Sequence, residues 1–211
     1  MNSTVFFKIG YGLYVLSARE GQKDNACIIN TLAQVTSSPA RVTICVNKQN
    51  YTHDMIQRTG VFNASILSEK AQFRTFQRFG FQSGRTSEKF YGTEGQAERV
   101  GNGLYIWKDG ANSWLSGKVI DTIDLGTHTL FVADVTDGEI LDPGTDSATY
   151  SFYHKNIKPA PPKKEETPAA PGKYRFRCKI CGYIYESDTD TLPPDFVCPL
   201  CKHGAEDFER I

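Results

Sequence analysis

Two Cys-x-x-Cys pairs close to the C-terminus, Cys178/Cys181 and Cys198/Cys201, stand sixteen residues apart. Two cysteines at this spacing turn their sulfurs toward one centre, and two such turns facing each other complete a tetrahedral cage of four thiolates. Soft thiolates in that geometry select zinc or iron. A tail of about forty residues buries too little apolar surface to fold unaided, so the metal supplies much of its folding free energy. Spacing alone leaves the metal open, because structural zinc sites use similar gaps.

The neighbouring residues narrow the choice. The first pair sits in Cys178-Lys179-Ile180-Cys181-Gly182-Tyr183-Ile184-Tyr185 and the second in Val197-Cys198-Pro199-Leu200-Cys201. This tail resembles the rubredoxin family, and Phe176, Tyr183, Tyr185, Phe196 and Phe208 fall where that family places its aromatic core. Gly182 suits the turn after a ligand, where φ can be positive. The chain departs from the usual pattern in a shorter loop between the knuckles and in Phe196 where tryptophan is common. The resemblance implies one iron held by Cys178, Cys181, Cys198 and Cys201. A zinc ribbon that only holds a fold or a partner is the alternative.

The elements that position this centre lie in the other 157 residues and a connector. Lys158 to Gly172 reads KPAPPKKEETPAAPG and holds half of the chain's ten prolines. Such a segment is extended at ~3.1 Å per residue and gives a reach of roughly 45 Å, or else it is a connector without fixed geometry. The expected domains are therefore 1–157, a linker over 158–172, and 173–211.

Within the first domain the apolar runs predict mostly strands, at 12–18, 41–46, 61–67, 103–107, 113–124 and 128–135. Helices are expected from a Thr52 cap through Arg58, ended by Gly60, and over Glu69–Phe79, where Phe73, Phe76 and Phe79 recur at helical spacing. Many short strands point to a barrel, and the absence of G-x-G-x-x-G and Walker motifs removes support for either nucleotide-binding fold. The formal charge of +0 gives no electrostatic support to nucleic-acid binding. No stretch approaches the ~18 apolar residues of a membrane span, and the first residues lack the layout of a signal peptide. Cys27 and Cys45, in apolar surroundings, are expected to pack as small hydrophobes, and this cysteine usage suits a reducing cytoplasm.

Three stretches of the barrel half carry a second resemblance. They are Asn30-Thr31-Leu32-Ala33-Gln34-Val35-Thr36-Ser37-Ser38-Pro39-Ala40, then Asn47-Lys48-Gln49-Asn50-Tyr51-Thr52, and Leu125-Gly126-Thr127-His128-Thr129-Leu130-Phe131-Val132. Over Val5 to Tyr153 the chain resembles the flavin reductase-like, FMN-binding split-barrel family. The fold implied is mainly β, a split β-barrel with a few short helices, beside a small metal-stabilised rubredoxin-like domain. The resemblance lays the flavin ring along Asn30, Thr31, Leu32, Ala33 and Gln34. It sets the phosphate at Asn47, Lys48, Asn50, Tyr51 and Thr52, where a helix N-terminus favours an anion. The turn Phe79 to Arg85 is a second candidate, with Ser83 and Arg85 covering the ring or reaching the phosphate across a dimer interface. The resemblance also puts His128 near the nicotinamide side, in a position to help orient a hydride donor. In the plain structural reading Thr52 only caps its helix, Lys48 is a solvated residue and His128 is a hydrogen-bonding strand residue. His53, His154 and His203 match no ligand spacing.

A flavin accepts electrons in pairs and an Fe(Cys)4 centre carries one, so the combination implies a two-to-one electron splitter. This domain order resembles proteins that pass NAD(P)H electrons through FMN and iron to a flavodiiron-type oxygen or nitric oxide reductase. A homodimer with the flavin cleft at its interface is the corresponding expectation. Two other readings are a diffusible-flavin reductase with an accessory metal tail, and a zinc-ribbon binding module on a ligand-sensing barrel.

Overall fold

The computed structural model describes residues 5, 8–159, 173–179, 181–199 and 203–211. Strand β1 (Tyr14–Glu20) runs into β2 (Lys23–Ile29) through a tight turn in which Gly21 takes φ 57°. A left-handed residue matches that turn to the twist of the flanking strands. Strands β3 (Ala33–Ser37) and β4 (Ala40–Asn47) precede helix α1 (Tyr51–Thr59) and β5 (Val61–Leu67). Helix α2 (Phe73–Gly80), the short pair β6 (Ala97–Arg99) and β7 (Tyr105–Trp107), and the long pair β8 (Ala111–Asp124) and β9 (His128–Ile140) follow. A helical turn, Tyr150–Phe152, widens at Tyr153–Ile157 and ends this half. Strands β10 (Tyr174–Cys178), β11 (Ile184–Ser187) and β12 (Phe208–Arg210) form a separate small sheet.

Seven strands form one sheet in the order β2-β1-β5-β8-β9-β4-β3, and each neighbouring pair is antiparallel. Alternation along β1 and β2 feeds two cores, because successive side chains of a strand point to opposite faces. Leu16 and Ala18 of β1, with Cys27 and Ile29 of β2, join a cluster with Val42, Ile44, Phe62, Ala64, Phe131 and Ala133. Strands near both ends of the sheet order contribute to that one cluster, so the sheet curls around it. Met55 and Ile56 of α1 enter the same cluster. Leu13, Val15 and Ala26 face the other way, into a cluster with Phe76 and Phe79 of α2, Trp107 and Tyr153.

Strand β7 crosses this outer face, paired with β6, and hydroxyls of β1 and β5 bond its backbone. Ser17 Oγ donates to the Tyr105 carbonyl, and Trp107 N–H donates to Ser65 Oγ at 2.8 Å. Ser17 and Ser65 are thereby paired, as burial requires, while the buried Trp107 Nε1 has no partner among the described residues.

The expected strands at β1, β4, β5, β7, β8 and β9 are present, while β2, β3 and β6 were not expected. All five residues of β3 are exposed, so it carries no apolar signal. Two helix starts also differ. Asn50, not Thr52, caps α1 by accepting Thr52 N–H on its side chain, and the helix ends at Gly60 with φ 69°. Helix α2 begins at Phe73 instead of Glu69, because Ala71 N–H is taken by the Ser68 carbonyl in a preceding turn. The linker expectation falls mostly outside the described residues. Among the described residues no helix is long and apolar enough to cross a membrane.

The segment after α2 is pinned from below. Lys89 is only 1% exposed, and its ammonium donates to the carbonyls of Arg78 and Gln82. Burial pushes the Lys89 pKa down to about 8, opposed by nearby Cys27 and assisted by Arg78. Burial likewise pushes the Cys27 thiol up to about 11, partly offset by hydrogen bonds from Thr52 and Asn50.

Two outcomes follow from this packing. Gly117 lies opposite Phe62 in the register, and a Cβ there would fall 2.2 Å from the Phe62 ring. Gly117→Ala should lower stability by about 1–3 kcal/mol in urea unfolding, with Phe62→Leu in the same chain recovering part of the loss. For Lys89 the unfolded chain binds the proton more tightly, so its penalty is complete below about pH 8 and is relieved as pH rises toward the unfolded value. Cys27 acts in the opposite sense only above its ordinary thiol value. The stability of the parent relative to Lys89→Met should therefore rise between pH 7 and 9; a fall would contradict the burial of a charged ammonium.

Candidate functional site

The small C-terminal sheet carries the thiols on its turns. Cys178 ends β10, and Cys178 N–H donates to the Tyr183 carbonyl at 2.8 Å while Gly182 N–H donates back to Cys178 at 2.9 Å. Gly182 has φ 80°, which a side chain would strain. The second turn is closed by Cys198 N–H on the His203 carbonyl at 2.8 Å and by a bridge between Val197 and Gly204. The sulfurs of Cys178, Cys181 and Cys198 lie within 4.8 Å of one another, with Cys181 and Cys198 3.6 Å apart. Thiolates at ~2.3 Å from a tetrahedral metal stand about 3.8 Å apart, so the three fit such an ion. Cys201 lies outside the described residues. Phe176 and Phe208 bury against the cysteines, and Tyr183, Tyr185 and Phe196 pack around them, as the aromatic pattern predicted.

The barrel half holds an open cavity of ≈ 310 Å³ between the start of α1 and the end of α2. It is lined by Ala26, Cys27, Asn47, Gln49, Asn50 and Tyr51 on one side and by residues 79–84 on the other. Aromatic rings for stacking, amide side chains for hydrogen bonding and a volume inside the range of ligand sites (~300–1,000 Å³) suit a flavin. Gly84 permits close approach, since a Cβ there would meet Asn25 Oδ1 at 2.0 Å. Asn25 Nδ2 donates to Thr52 Oγ1 at 3.0 Å, while its buried Oδ1 has no partner among the described residues.

Of the anticipated binding residues, the structure brings Asn47, Asn50, Tyr51 and Ser83 into this one cavity. Thr52 is fully buried, with its hydroxyl turned to Asn25. Lys48 Nζ is held by Asp124 at 2.6 Å, and this contact, with Gly126 N–H, keeps the Asp124 carboxyl below its usual range. Arg85 donates to Asp54 at 2.7 Å and lies 5.0 Å over the Tyr51 ring, bracing a wall of the cavity. Burial opposes ionisation of Asp54, but hydrogen bonds from Arg85 and His53 outweigh it and hold the carboxyl low.

Residues 30–34 form the edge leading into β3. Thr31 donates to the Cys45 carbonyl at 2.6 Å, Leu32 packs on the barrel core, and Ala33 and Gln34 are exposed. His128 pairs in register with Asn47, so it stands one strand from the cavity, with Nδ1 2.9 Å from Thr127 Oγ1. Ala26 and Cys27 entered the lining unannounced, whereas the wall 79–84 belongs to the turn expected from its two glycines, Ser83 and Arg85.

The barrel region matches the flavin reductase like domain over residues 6–161, and the tail matches the rubrerythrin, rubredoxin-like domain over 176–209. The chain is 32% identical to the high molecular weight rubredoxin of Moorella thermoacetica, over all of both chains. It is 34% identical to the ferric-chelate reductase (NAD(P)H) of Archaeoglobus fulgidus, covering 77% of this chain and 95% of that one. Its fold also matches the NADH:FAD oxidoreductase of Streptomyces globisporus with TM-score 0.63 at 21% identity, over 71% of this chain and 87% of the other. An oxidoreductase domain and a thiolate domain of this pairing support flavin-mediated electron transfer, and the chain belongs to the high-molecular-weight rubredoxin family.

Proposed function

We propose that this protein takes a hydride from NAD(P)H onto FMN in the barrel cavity and passes the electrons singly to one iron. Cys178, Cys181, Cys198 and Cys201 would hold that iron, and a flavodiiron protein is the terminal acceptor in this reading. The observation that carries it is the presence in one chain of a polar-aromatic cavity and three thiols gathered within 4.8 Å. The flavin supplies two-to-one electron chemistry, which no side chain here provides.

The chain's own residues supply placement. Asn47, Gln49, Asn50 and Gln82 offer amides to the ligand's polar edge, while Tyr51 and Phe81 flank its ring. Lys48, being occupied by Asp124, contributes charge at the mouth rather than a direct phosphate contact. His128 pairs in register with Asn47 of the cavity lining, which supports its assignment to the nicotinamide in this reading. Domains over 1–157 and 173–211, joined by the proline-rich linker, keep the iron near the flavin at an effective concentration of about millimolar. Assembly as a homodimer and operation in a reducing cytoplasm, where thiols persist, belong to the same reading.

Replacement of Cys178 or Cys198 by Ser should abolish the ferric-thiolate absorption while flavin uptake and its reduction by NAD(P)H persist. Iron bands surviving in each variant would refute the ligand set. In anaerobic rapid mixing, the intact protein should show flavin bleaching first and iron bleaching second. Adding a flavodiiron protein should then restore the iron colour. Iron that stays ferric while the flavin cycles would leave a flavin reductase with a passive metal tail.

A further inference from the structure

The loop 81–84 has two working sides. Phe81, Gln82 and Ser83 line the barrel cavity beside Asn50 and Tyr51. The same three residues, with Thr86 and Ser87, form one wall of a second cavity of ≈ 290 Å³. Its opposite wall is the metal domain's own turn, His203, Gly204, Glu206 and Asp207. The Phe81 ring packs against the outer core of the barrel and also against the aromatic core around the thiols. One loop therefore separates the candidate flavin cavity from the thiolate centre.

Both walls are rigid where they meet. Lys89 holds the Gln82 carbonyl, Ser83 accepts Ser87 N–H on its carbonyl at 3.0 Å, and Gly84 sits against Asn25. Across the cavity, His203 anchors Cys198, and the Asp207 carbonyl accepts Lys179 N–H at 2.8 Å. The turn 203–207 is thereby fastened to both cysteine knuckles. A fixed loop against a fixed turn loses little conformational freedom on docking, which favours a reproducible contact.

We propose that the loop 81–84 is the docking surface for this chain's own metal domain, with the turn 203–207 as its occupant, and the junction that electrons cross. The electron-transfer part rests on the function proposed above. Each crossing removes one electron from the reduced flavin and converts one ferric centre to ferrous. Two crossings restore the oxidised flavin and release one proton to solvent. The tether lets the domain leave this surface to meet an acceptor once reduced.

Ser87 belongs to the second cavity and not to the flavin wall, so it tests docking without disturbing cofactor binding. Ser87→Glu sets a carboxylate against Glu206 and Asp207. In the flavin- and iron-loaded full chain, flavin reduction by NAD(P)H should stay at the parent rate while iron reduction slows about tenfold, since opposed like charges weaken a contact. Glu206→Lys added to Ser87→Glu should restore the rate, a rescue that mere damage to the fold would not show. Hydrogen exchange of amides 83–87, faster in Ser87→Glu and slowed again in the double variant, reports docking independently of electron flow. Changed exchange in a chain whose parent never reduces its iron would uphold the docking surface and reject the electron-transfer reading. Exchange and iron reduction both at parent values in Ser87→Glu would overturn the junction.

Discussion

Alternation of side chains along β1 and β2 sets up almost everything else in the barrel half. Residues such as Leu16 and Cys27 enter the interior, while Val15 and Ala26 turn outward to a second core. The interior is closed by α1 and the outer face by α2, so the ends of two helices converge at one rim. The candidate cavity opens there, with Cys27 and Ala26 at its floor. A one-residue slip of β2 against β1 would exchange its inward and outward faces and remove that floor.

Electrostatics contribute position more than stability. Lys and Arg balance Asp and Glu at 24 each, and most ion pairs lie at the surface, where each contributes little. Lys89 differs because it is buried and because its acceptors are carbonyls instead of a carboxylate. It ties the end of α2 to the loop beyond it at the price of a desolvated charge. The pair Asp54–Arg85 plays a related part on the other wall by holding a guanidinium over Tyr51.

The metal centre was legible in the sequence because its ligands are local: each pair is three residues apart and the knuckle turns follow directly. The strands β5 and β9 were legible because their residues are apolar where they meet the core. Strand β3 was not, since its pairing rests on backbone hydrogen bonds alone and its side chains all face solvent. The α1 cap illustrates a finer limit. Asn50 and Thr52 are both good capping residues, and only the burial of Thr52 against Asn25 decides between them. The floor of the cavity was invisible for a similar reason, as Cys27 meets Asn50 only through the sheet. Resemblance to a family pointed to the turn 47–52, four residues of which line the cavity, but the direction of Lys48 is set by Asp124 from a strand end far away in sequence.

In the function proposed above, both redox modules stand on one chain, so the flavin-to-iron step would be a property of single molecules, whichever acceptor follows. The most direct test is the rate of iron reduction when the intact, oxidised protein is mixed rapidly and anaerobically with excess NAD(P)H, measured over a wide range of protein concentration. A rate independent of concentration is predicted, because donor and acceptor are tethered. A rate rising in proportion to concentration would show that electrons pass between separate molecules, and would contradict the account.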